Sequence, residues 1–152
     1  MIALILDTSA LVLYCRAEDP RALFVGEMIA SVLDDAEEDD TFIGIPTQCM
    51  LEAAHQLSGF DIEPLVVLTQ RARVVVLDQP DPVAAMRMAA TLRISPTIAV
   101  LMLAADRHPE ALIATFEPLE LRKYIAKPRR VIELDSEYPD GTDDGWRPTE
   151  PE

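Results

Sequence analysis

Aromatic side chains are scarce in this chain: one Trp, three Tyr and four Phe among 152 residues, 5% in all, beside a 49% hydrophobic fraction. A core this dependent on aliphatic residues suits a sheet covered by helices and speaks against an aromatic-rich β-sandwich. Cysteine is nearly as rare. Cys15 and Cys49 stand alone without metal-type spacing, which excludes a disulfide scaffold or a zinc ribbon and predicts reduced thiols in a cytoplasm. No apolar run reaches the roughly 18 to 20 residues that span a bilayer. An apolar strand begins at once, with no basic leader before it, so neither a membrane span nor a secretion signal is expected.

Positive charge is also in short supply. The 13 Lys and Arg face 27 Asp and Glu, for a net charge of −14. Residues 1–132 carry 12 basic and 19 acidic side chains, and residues 133–152 carry 1 and 8, so each part contributes −7. General attraction to phosphate backbones is thereby excluded, and nucleic-acid binding has to be local. An enzyme whose metal ions supply the positive charge remains open.

The length accommodates one core of ordinary size. Ile2-Ala3-Leu4-Ile5-Leu6 is a continuous run of the kind buried on both faces of a parallel sheet. Helical stretches follow from about Ser9 to Arg16 and from Asp19 to Leu33, the second opened by Asp19-Pro20 as cap and first helical residue. After the acidic connection 34–40, Thr41 to Ile45 reads as a strand stopped by Pro46. Thr47 then caps a helix closed by Gly59, and Ile62 to Arg71 is helical. Arg73 to Leu77 forms a third strand, and Asp81-Pro82 opens a helix to about Leu92. Ser95-Pro96 opens another, whose stretch Ile98 to Ala105 is apolar on all sides and therefore buried. Leu112 to Thr115 and Val131 to Leu134 complete the strands.

This alternation predicts an α/β three-layer sandwich, a mostly parallel sheet of four to five strands flanked by helices. The domain is expected over residues 1–135, with 136–152 as an acidic, disordered tail.

Asp7 ends the first strand, where ligand crevices of open α/β sheets lie; capping the next helix explains it equally well. Glu52 lies in the helix after the second strand and Glu117 just past the fourth. Three carboxylates brought together offer the oxygen ligands that hard cations such as Mg²⁺ and Mn²⁺ take.

The segments ILDTSALVLY at 5–14, IPTQCMLEAAHQL at 45–57 and SPTIAVLMLAADRHPEALIATFEP at 95–118 resemble the PIN-domain ribonucleases, including VapC-type toxins of bacterial toxin–antitoxin pairs. The resemblance covers nearly all of residues 1–135. It implies a parallel sheet flanked by helices, with an acidic Mg²⁺ or Mn²⁺ pocket at the strand ends. It also implies Asp7 as the first metal-binding acid with Thr8 and Ser9 beside it, and Glu52 as the helix glutamate. The family's third acid is replaced here by Thr97. Its fourth follows a Thr-x pair, here Thr115-Phe116, and is Glu117 in place of the usual Asp. One negative charge is therefore missing and one ligand is a methylene longer, which puts a second metal ion in doubt.

Two expectations follow. The first is a weakened divalent-metal-dependent endoribonuclease of toxin type. There Asp7, Glu52 and Glu117 are catalytic and metal-binding, while Thr8, Ser9, Thr97 and Thr115 face substrate. The second is a catalytically inactive PIN-like scaffold that binds a protein or RNA partner. Either is expected as a homodimer through helix faces early in the chain, with RNA and an antitoxin-like protein as partners.

Other features read more plainly. Glu52 and His55 share the Glu-x-x-His spacing of di-iron bundles, but the sheet pattern makes His55 a surface residue near the crevice. His108 sits at a helix end, favourable for the dipole. The five cations among residues 122–130 read either as a grip for an RNA backbone or an acidic partner segment or, more plainly, as a solvated basic edge that neutralises the acidic tail, in which Trp146 is a candidate docking residue. The methionines at 28, 50, 86, 88 and 102 read as core filler.

Overall fold

The computed structural model describes residues 1–16, 18–34, 40–59, 61–78, 81–116 and 131–133. The chain alternates throughout. β1 (Ile2–Leu6) is followed by α1 (Thr8–Tyr14) and α2 (Pro20–Leu33), β2 (Phe42–Pro46) by α3 (Thr47–Gln56) and α4 (Glu63–Thr69). β3 (Val74–Leu77) leads through α5 (Pro82–Leu92) and α6 (Pro96–Arg107) to β4 (Leu112–Thr115), and β5 (Val131–Glu133) completes the described strands.

The five described strands are all parallel, in the order β3-β2-β1-β4-β5, and the six described helices flank them. The alternation dictates this α/β architecture, because parallel neighbours must be joined by crossovers. β1 lies at the centre, with Leu4, Ile5 and Leu6 at most 2% exposed. The uninterrupted apolar run is thus matched by burial on both faces. Together with Ile43 and Ile45 of β2 and Ile113 of β4, it meets Leu11 and Met28 from the helices and Leu57 at the end of α3 in an aliphatic core.

Helix starts follow their sequence signals. Asp19, Asp81 and Ser95 each accept a backbone N–H of the first turn, from Arg21, Val83 and Ile98, and each precedes a proline at the first helical position. α6 is packed inside, with Ala99, Val100, Leu101, Ala104 and Ala105 all buried. Among the described residues no single helix is long and apolar enough to cross a membrane.

Three expectations change. Thr47 does not cap α3; Pro46 holds that position without a side-chain bond, since it stays paired with Leu77 in the ladder. Thr47 is the first helical residue, and its hydroxyl donates to the Leu77 carbonyl at 2.8 Å, tying α3 to β3. Met86 is 64% exposed and so is not core filler, because α5 buries only Ala85. β2 includes Pro46 instead of stopping before it, which the sheet tolerates at a strand end. Most of the acidic connection, the basic segment 122–130 and the expected tail lie outside the described residues.

The chain runs from β1 outward to β2 and β3, then crosses back through α5 and α6 to β4 on the other side of β1. The switch point therefore falls between β1 and β4, where an open parallel sheet leaves a crevice beyond its carboxyl ends.

Candidate functional site

A pocket of about 120 Å³ occupies that crevice. Asp7, Thr8 and Ser9 reach it from the end of β1, and Thr115 from the end of β4. Glu52 and Gln56 come from α3, Ser95 precedes α6, and Thr97, Ile98 and Leu101 come from its first turns. A cavity of roughly 150 Å³ takes one benzene molecule. This space suits one hydrated ion or one phosphate group, not an enclosed nucleotide.

Asp7 is both a cap and a pocket residue. It is the N-cap of α1, and its Oδ1 accepts from Ala10 N–H at 2.9 Å and from Ser9 Oγ at 2.7 Å. The residue is only 6% exposed, and these two bonds fix the direction of its carboxylate. Ser9 Oγ also accepts the Phe116 N–H at 2.9 Å and lies 3.5 Å from Thr115 Oγ1. One hydroxyl thus joins the ends of the two strands that border the switch point.

Glu52 is held from the opposite wall. Thr97 Oγ1 donates to Glu52 Oε2, and Gln56 Nε2 lies 3.5 Å from Glu52 Oε1. The hydroxyl that replaces the expected acid therefore contacts a carboxylate instead of adding a second negative charge beside it. Among the described residues the buried Thr8 hydroxyl meets no nitrogen or oxygen partner, and the Cys49 thiol lies against it. Burial first, then the negative charge of Asp7 and, least, that of Glu52 push the Cys49 thiol up to about 12, against opposing hydrogen bonds with Thr8. Cys15 is likewise pushed up to about 11, chiefly by burial. Neither thiol is a nucleophile at neutral pH.

Of the predicted site residues, Asp7, Thr8, Ser9, Glu52, Thr97 and Thr115 meet in this pocket. Glu117 lies outside the described residues, directly after Phe116. His55 is exposed at the end of α3, Asp81 caps α5, and Asp106 is exposed at the far end of α6. Among the described residues, no three His, Cys, Asp or Glu side chains gather as a metal-binding group.

Sequence reasoning missed Gln56, Ser95, Ile98 and Leu101. Gln56 had a usable signal, since it follows Glu52 by four residues and so shares its helix face. The Ser-Pro signal gives Ser95 only a capping role, and the all-round apolar pattern gives Ile98 and Leu101 only a packing role.

The arrangement offers two carboxylates and a ring of hydroxyls, an all-oxygen donor set of the kind that hard cations and their waters accept. No protein-family model matches the chain, and no curated protein matches it.

Proposed function

We propose that the chain is a PIN-like, divalent-metal-dependent endoribonuclease of toxin type whose site is weakened by the exchange of an acid for Thr97. The observation that carries this reading is the meeting of Asp7 and Glu52 in one hydroxyl-lined pocket at the switch point, although they come from different elements. The donor chemistry fits one Mg²⁺ or Mn²⁺, held by Asp7 and by Glu52 directly or through water, with Glu117 as the third ligand that the resemblance adds. When bound, such an ion lowers the pKa of a water and offsets charge on a phosphodiester.

The chain's own groups do the rest. Ser9 and Ala10 N–H hold Asp7 Oδ1 in one direction. Thr97 orients Glu52, and the Thr8 and Thr115 hydroxyls provide further contacts to water or phosphate oxygens. Leu23 at 69% and Leu51 at 57% exposure leave apolar surface on α2 and α3, in keeping with a homodimer through early helix faces. An antitoxin-like protein and RNA are the proposed partners.

The test is RNA cleavage by the purified full chain with Mn²⁺, with and without Asp7→Asn. Cleavage is expected to fall by roughly 10- to 100-fold, the scale on which metal sites respond to altered ligand shells. Equal cleavage by the variant removes the assignment.

A second reading rests on the Thr97–Glu52 bond, which occupies one Glu52 oxygen. In it the chain is an inactive PIN-like scaffold for a protein or RNA. Calorimetry separates the two: Mn²⁺ binding in the micromolar to low-millimolar range supports the enzyme, and none at about 10 mM supports the scaffold. For the scaffold, Thr97→Asp is expected to create metal binding.

A further inference from the structure

Arg21 stands where helix energetics do not call for a cation. It lies in the first turn of α2, whose N-terminus already carries the positive end of the helix dipole. Asp19, the cap of that helix, clamps it: Arg21 Nε lies 3.0 and 3.3 Å from the two Asp19 oxygens, and Nη2 lies 2.8 Å from Oδ2. So exposed a pair contributes little to stability. What the clamp does is orient the guanidinium. Its centre lies 5.3 Å from the centroid of the Phe116 ring. Asp19 is held below the usual carboxylate range, first by the Arg21 side-chain hydrogen bonds, so both partners stay charged.

Phe116 ties this stack to the pocket. It follows Thr115, which lines the pocket, and its N–H donates to Ser9 Oγ, which holds Asp7. A pocket with two carboxylates in a chain of net charge −14 repels a polynucleotide unless a local cation offsets the repulsion. Arg21 is such a cation, seated over the Phe116 ring and 34% exposed, with Nη1 not engaged by Asp19. Guanidinium planes and aromatic rings are the surfaces on which unpaired bases stack.

We propose that Arg21, fixed by Asp19 and backed by Phe116, grips single-stranded RNA beside the pocket. Nη1 meets a phosphate, and a base stacks on the outer face of the guanidinium, so that the neighbouring phosphodiester enters between Asp7 and Glu52. This deepens the ribonuclease reading and rests on its choice of RNA as substrate, not on the bound ion.

The test is fluorescence anisotropy of a labelled single-stranded oligoribonucleotide with the full chain in EDTA, titrated with KCl. Arg21→Ala is expected to weaken binding roughly tenfold, the scale of losing one stacked base. It should also reduce the salt slope by about 0.7, the value for one phosphate contact on a single strand. Arg21→Lys keeps the slope but loses affinity, because an ammonium does not stack. Phe116→Leu does the same by removing the backing ring.

Arg71→Ala removes one charge just before β3, at the opposite end of the parallel sheet, and is expected to leave binding unchanged. Wild-type affinity in Arg21→Ala, an equal loss in Arg71→Ala, or no RNA bound by the wild-type chain overturns the grip. RNA bound through Arg21 but never cut with Mn²⁺ leaves the grip standing and ends the ribonuclease reading. RNA cut with the same KM by wild type and Arg21→Ala does the reverse.

Discussion

Thr97 and Glu52 lie 45 positions apart in the chain, and their hydrogen bond ties α6 to α3 across the pocket. Nothing local in the sequence announces that contact. Asp7 is more legible, because a carboxylate at the end of a buried apolar run is conspicuous, although sequence alone does not divide it between capping and chemistry. It serves as the cap of α1 while lining the pocket. Cys49 gives a prediction at this scale. Its thiol is pushed from the ordinary 9.0 to about 12 in the fold, so the folded chain keeps a proton that the unfolded chain releases. The associated stability is fully present below pH 9 and is lost as pH rises toward 12, at no more than about 1.4 kcal/mol per pH unit. Urea unfolding between pH 8 and 11 should therefore show a shallower decline for Cys49→Ala than for wild type; parallel curves would refute it.

The elements were largely readable because their punctuation is strong. Asp-Pro and Ser-Pro pairs opened α2, α5 and α6 as expected. The end of α5 was less plain. It closes on Arg93 at φ 54° and ψ 44°, a left-handed conformation that usually calls for glycine. Arg93→Gly is expected to stabilise the fold by about 0.5 to 1 kcal/mol, because the Cβ clash of that conformation disappears; a lower urea midpoint would contradict this. Gly44 works in the other direction. A Cβ there would lie 2.8 Å from Leu77 Cδ1 and 3.1 Å from Ile2 Cγ2, so Gly44→Ala is expected to cost about 1 to 3 kcal/mol by crowding β2 against both neighbours. An unchanged midpoint would show that Leu77 turns aside freely.

For the whole molecule, alternation of strands and helices foretold a parallel sheet but not the order of its strands, since periodicity records burial and not neighbours. The order matters most, because it places the switch point between β1 and β4 and so gathers the pocket. Charge acts on the same scale. With a net charge of −14, the folded chain repels itself, and salt screens that repulsion. The thermal midpoint is therefore expected to rise between about 20 and 500 mM KCl, over which the Debye length shrinks roughly fivefold; a midpoint that falls with salt would mean that attractive pairs outweigh the repulsion.

The bond from Thr47 to the Leu77 carbonyl has a mechanical corollary. It leashes the rim of the sheet to the helix that bears Glu52, little more than one turn further along. Whatever pulls on β3 from outside, whether a docking strand or a crowding neighbour, also tugs the acid on the pocket's far wall.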